Sequence, residues 1–111
     1  MSTQIEINKN LIKYLEATGY RSNQIVDKLV DETLSLGGVA QMQIAPEQGQ
    51  FLEIIVKISQ AKNCLEIGRF TGLSSLCIAK GLPEFGKLIA VDNSEEFLPI
   101  AEKYWKMATV D

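Results

Sequence analysis

Four positions could act together on one ligand: Glu66, Gly68, Gly72 and Asp92. Glu66 lies at the end of a short apolar run over about 63–67, and Gly68 and Gly72 punctuate the turn that follows. Asp92 directly follows a second apolar run, 87–91, rich in Ile and Val. Glycine permits backbone angles and close approaches that a side chain forbids, and a helix starting near Gly72 would offer unpaired N–H donors. A ligand across this turn would meet backbone donors, one fixed carboxylate and little side-chain bulk. Strand, Gly-rich turn, helix, then an acid at the end of the next strand is the general plan of a nucleotide site.

Two cofactor classes compete for it. A dinucleotide wants G-x-G-x-x-G so that the backbone can touch a pyrophosphate. Here the first of those positions is Glu66, and the remaining glycines are spaced G-x-x-x-G. A carboxylate repels a pyrophosphate and attracts an ammonium or a sulfonium. S-adenosylmethionine carries both cations and no phosphate, which favours it over NAD. Asp92 would then accept from the ribose hydroxyls, both at once; taken alone it reads as a turn residue or helix cap before Asn93 and Ser94. Ser74, just inside the helix, can cap the first turn or donate to the ligand.

The elements that must position these residues can be read from periodicity. Leu11, Ile12 and Leu15 mark a helix over about 8–18 that stops at Gly19. Ile25, Val26, Leu29, Val30 and Leu34 mark another over about 23–36, capped by Ser22 or Asn23 and ended by Gly37 and Gly38. An apolar connector, 39–45, leads to Pro46, which opens a third helix with Phe51, Leu52, Ile55, Val56 and Ile58 as its buried face. Gly49 inside that helix costs about 1 kcal/mol against alanine, a hint of close packing. Strands over 63–67 and 87–91 flank a helix over about 72–80. A last helix runs from about Leu98, because Pro99 sits too deep for one beginning after Ser94. Strands alternating with helices imply parallel pairing and an α/β fold.

At 111 residues one domain is expected, 1–60 contributing helices and 61–111 the start of a cofactor-binding sheet. Net charge is −3 with the signs interspersed, so no basic patch points to nucleic acid. Histidine is absent, which removes imidazole as base or metal ligand. Cys64 and Cys77 lack metal spacing and read as buried free thiols of a reducing, cytoplasmic compartment. No apolar run approaches bilayer length.

From Met42 to Trp105 the chain resembles the cation-dependent O-methyltransferases of the caffeoyl-CoA and catechol type. The likeness is carried by MQIAPEQGQFL (42–52), LEIGRFTGLSSL (65–76) and LIAVDNSEE (88–96) in their mutual spacing. The resemblance implies a Rossmann-like fold, S-adenosylmethionine as cofactor, and contacts from Met42, Ile44, Glu66, Gly68, Ser74 and Asp92. It also implies methyl transfer to a small hydroxylated, catechol-like acceptor, with a divalent cation whose ligands lie in family segments beyond these residues. On that reading the 111 residues alone are expected to be catalytically incomplete, and to associate as a homodimer that covers bare sheet edges. The rival reading is a non-catalytic binding or oligomerisation module. Two residues depart from the family pattern. Leu73 stands where tyrosine is common. Arg69 stands where a small or β-branched residue is usual, and its charge opposes a cationic cofactor unless it turns to solvent or pairs with an acid such as Glu66.

Overall fold

A computed structural model describes residues 3–111. Of the irregular lead-in expected over 1–7, residues 1 and 2 lie outside the described residues. The elements are α1 (Lys9–Gly19), α2 (Gln24–Leu34), a 3-10 helix (Gly37–Met42), α3 (Pro46–Ser59), β1 (Asn63–Ile67), α4 (Leu73–Gly81), β2 (Lys87–Val91) and α5 (Leu98–Met107).

Local chemistry sets most of these boundaries. The Asn8 side chain accepts from the Leu11 N–H at 3.0 Å, and the Asn23 side chain accepts from Ile25 and Val26, so each asparagine satisfies donors the helix start would leave open. Pro46 is the first residue of α3, where its missing N–H costs nothing. Pro99 is the second residue of α5, as its position relative to Ser94 required. The connector at 39–45 is more ordered than expected, since 37–42 winds into a 3-10 helix.

β1 and β2 pair in parallel, from Asn63 opposite Lys87 to Ile67 opposite Val91. Successive strand side chains point to opposite faces. Glu66 therefore looks to the helix-covered face, whereas Leu65, Ile67, Ile89 and Val91 share the other and are exposed. The core lies between helices: Val26 and Leu29 of α2, Leu73, Leu76 and Cys77 of α4, and Tyr104 of α5. Fully burying a side chain such as Leu29 or Leu76 contributes about 1.5–3 kcal/mol.

Helices α3 and α4 cross closely because each brings a glycine to the contact. A Cβ on Gly49 would lie 2.7 Å from Cys77 Sγ, and one on Gly81 would lie 2.7 Å from the Glu53 carbonyl. That accounts for Gly49 inside a helix. The expected buried face of α3 is corrected: Val56 is buried, but Phe51, Ile55 and Ile58 are exposed, Ile58 at 74%. The helix meets α4 along a glycine-bearing line, and much of its wider apolar stripe is left exposed. Leu11, Ile12 and Leu15 of α1 are likewise exposed.

No described helix is long and apolar enough to cross a membrane.

Candidate cofactor cleft

The turn after β1 and the turn after β2 are bound to each other. Gly68 takes φ +88°, where a side chain would be strained, and its N–H donates to the Val91 carbonyl at 2.8 Å. Phe70 also adopts a positive φ, +51°. Such a conformation costs about 1–2 kcal/mol in a residue with a Cβ. Here two consecutive amides converge on one oxygen: the N–H groups of Arg69 and Phe70 donate to Asp92 Oδ2 at 2.8 and 3.0 Å. The Ser94 N–H donates to Oδ1 at 2.9 Å. These three bonds, those from Phe70 and Arg69 first, hold the Asp92 carboxyl down at about 2, so it is ionised at neutral pH.

A carboxylate has about four lone-pair sites. Three are taken by the chain's own amides, which leaves one on Oδ1 for a ligand. Asp92 is therefore first a clasp between turns and second an exposed acceptor.

Glu66 is 9% exposed. Its Oε1 accepts from the hydroxyls of Ser74 (2.8 Å) and Ser75 (3.1 Å) in the first turn of α4. Its Oε2 is buried with no hydrogen-bond partner. Burial pushes the Glu66 carboxyl up, against the pull of the two serine hydroxyls and of Arg69. An unpartnered buried carboxylate oxygen is costly, and a cationic or hydroxyl donor would relieve it.

A cleft of about 710 Å³ opens over the two turns, lined by Met42, Gly68, Arg69, Phe70, Asp92 and Phe97 among others. Of the residues the sequence singled out, Met42, Gly68 and Asp92 border it. Glu66 and Ser74 do not line it; they are joined to each other. Ile44 packs against the core and near Gly49. Gly72 is buried against α5, where a Cβ would meet Ala101 at 2.7 Å and Trp105 Nε1 at 2.8 Å. Phe70 and Phe97 were not singled out; their rings meet edge to face at 4.9 Å on the cleft wall. Two aromatics, three and six residues beyond the two strand ends, are the signal that could have found them.

Arg69 neither turns to solvent nor pairs with Glu66. It is 9% exposed, its Nη2 donates to the Ser94 carbonyl at 2.8 Å, and its Nε has no partner.

No group of three or more acidic, cysteine or histidine side chains among the described residues is placed to hold a metal ion. These residues do not fit a divalent cation.

Residues 16–111 match the family model described as O-methyltransferase. The chain belongs to that family. It is 47% identical over 66 residues to caffeoyl-CoA O-methyltransferase 2 of Petunia hybrida, covering 56% of this chain and 27% of the relative. To the catechol O-methyltransferase of Niastella koreensis it is 35% identical over 79 residues, 69% of this chain and 36% of that one. Among solved structures, the O-methyltransferase from Bacillus cereus in complex with SAH aligns with a TM-score of 0.78 at 26% identity, over 88% of this chain and 44% of its own length. The chain thus spans less than half the length of the curated relatives it matches. Its two strands and their helices form a portion of a Rossmann-like methyltransferase fold.

Proposed function

We propose that this chain binds S-adenosylmethionine as the cofactor-binding part of an O-methyltransferase acting on a small hydroxylated, catechol-like acceptor. The observation that carries the reading is the buried Glu66 Oε2, an acceptor without a donor at the end of β1. A methionyl ammonium is the donor that such an oxygen lacks, and it adds a charge attraction in a desolvated place. Asp92 Oδ1 offers one further acceptor at the end of β2, suited to a ribose hydroxyl. Ser74 holds Glu66 in orientation, and Met42 closes the outer wall. When bound, the cofactor supplies the electrophilic methyl group; the residues of this chain bind and orient it. The names of the relatives support methyl transfer to oxygen on a catechol-bearing acceptor, and they favour it over a purely non-catalytic module.

Calorimetric titration with S-adenosylhomocysteine tests the cofactor, with NAD as the contrast. Saturable binding of the first and none of the second is expected. NAD binding without S-adenosylhomocysteine binding would replace this reading with a dinucleotide enzyme.

We read the chain also as cytoplasmic, on its two free thiols, and as a homodimer. Supporting the dimer are the exposed Leu65, Ile67, Ile89 and Val91 on one sheet face, and Phe51, Ile54, Ile55 and Ile58 on α3. Apolar surface of that extent favours association. Sedimentation equilibrium at low micromolar concentration is expected to give twice the 12.3 kDa chain mass. A cooperative monomer blind to concentration would remove the dimer.

A further inference from the structure

Arg69 is the residue whose placement the cofactor reading does not explain. A guanidinium carries five N–H donors and a permanent charge, and removing it from water is expensive unless it is paired. Here it is 91% buried (9% exposed), makes no ion pair among the described residues, and has one hydrogen bond, to the Ser94 carbonyl. The attachments between the two turns all donate from the first to the second, some from backbone and one from a side chain. Amides of the first turn, Arg69 N–H and Phe70 N–H, donate to the Asp92 side chain of the second; the Arg69 side chain of the first donates to backbone of the second. Ser94 N–H to Asp92 Oδ1 lies within the second turn and ties it to nothing else. The amide bonds fix the carboxylate itself, and Arg69 alone among these contacts reaches the backbone beyond it. The residue also stands on the wall between the cleft over the turns and a second groove along β2 and α5, lined by Leu88, Ala90 and Trp105.

We propose that Arg69 is a positioning residue for the cofactor cleft: its buried guanidinium, donating to the Ser94 carbonyl, holds the 92–94 turn against the Gly68 turn and so fixes where Asp92 presents its free lone pair. The proposal rests on the reading that the cleft takes an S-adenosyl ligand. It assigns the positive charge to structure. The same residue acting as a charged wall would instead discriminate between a sulfonium and a neutral thioether, because only the first is repelled.

The test uses Arg69→Met, which keeps length and removes donors and charge, and Arg69→Lys, which keeps charge and one usable donor. Each is titrated with S-adenosylhomocysteine and with S-adenosylmethionine, and amide hydrogen exchange over 92–97 is followed without ligand. For Arg69→Met, affinity is expected to fall about tenfold, equally for both ligands, as for loss of one charge-assisted bond. Exchange over 92–97 should quicken several-fold, and Arg69→Lys should recover part of both. Affinity for S-adenosylhomocysteine within twofold of the parent overturns the proposal, whatever the exchange rates. So does a gain for S-adenosylmethionine over S-adenosylhomocysteine, which makes Arg69 a charged wall. Should Arg69→Met not fold, Arg69→Lys carries the same readouts: a loss of twofold or more, equal for the two ligands and with quickened exchange over 92–97, supports the proposal, and any other result overturns it. A parent chain that binds neither ligand defeats the cofactor reading; exchange over 92–97 then decides alone whether Arg69 holds the turn, quickening supporting it and parent-like rates overturning it.

Discussion

The indole Nε1–H of Trp105 donates to the carbonyl of Gly72 at 3.1 Å, and the same ring occupies the space a Cβ on Gly72 would need. The glycine that caps the start of α4 is thus held by α5, and the cleft turn inherits its position from a side chain 33 residues later in the chain.

Gly72→Ala combines two penalties. Alanine would have to adopt φ +89°, and its methyl would press on Ala101 and Trp105. Together these are expected to cost about 2–4 kcal/mol. Urea denaturation followed by tryptophan fluorescence checks this, and a loss below 1 kcal/mol would mean that α5 gives way freely.

A buried hydroxyl pair joins α2 to the same turn. Thr33 Oγ1 donates to the Leu29 carbonyl at 2.8 Å and lies 2.9 Å from Thr71 Oγ1, both side chains being almost wholly buried. A hydroxyl has one proton, so Thr71 is the donor between the two. Thr33→Val leaves the Thr71 hydroxyl without its acceptor and should cost about 1–3 kcal/mol, whereas the double change to valine should recover part of that. A double variant less stable than the single would contradict the pairing.

Stability should carry opposite pH signatures from the two strand-end acids. The Glu66 carboxyl is raised by burial, so the native state holds its proton more tightly than the unfolded chain. That contribution is full below the ordinary value of 4.5 and is lost as pH rises through the raised native value. Asp92, held at about 2, behaves in the reverse sense: its contribution is present above the ordinary 3.8 and is lost as pH falls toward about 2. Glu66→Gln is therefore expected to melt higher than the parent at about pH 7 and alike at about pH 4, while binding S-adenosylhomocysteine more weakly. Parent-like melting across the whole range would show that the buried carboxylate is not under strain.

Asp92→Ala is expected to weaken S-adenosylhomocysteine by roughly ten- to a hundredfold, the range for a charge-assisted hydrogen bond together with loss of the clasp. Asp92→Asn keeps one acceptor and should fall in between. Unchanged titrations in both would remove Asp92 from the ligand site.

Legibility in the sequence followed the range of the interactions. Both strands, α5 and the capped start of α2 were readable, because Asn23, Pro46, Pro99 and the apolar runs act on neighbours a few residues away. The 3-10 winding of 37–42 carried no periodic signal. The face of α3 was misjudged because its apolar stripe is broader than its contact with α4, and only the partner helix decides which part is covered. At the cleft, Glu66, Gly68 and Asp92 announced themselves by type and position. The inward turn of Arg69 depends on a carbonyl 25 residues away, and the burial of Gly72 on Trp105, so neither could be read from local spacing.

The crossing of α3 over α4 leaves Cys77 in an unusual situation for a thiol. It is pressed by Gly49 and shut from water, and burial pushes it up to about 11. As the thiolate is the reactive form, Cys77 is silent toward alkylating reagents while the two helices stay together, whereas half-buried Cys64 lies on the strand. The rate at which the second thiol of the unmodified chain becomes labelled is therefore a clock for the parting of α3 from α4, written into the protein without a dye or a substitution.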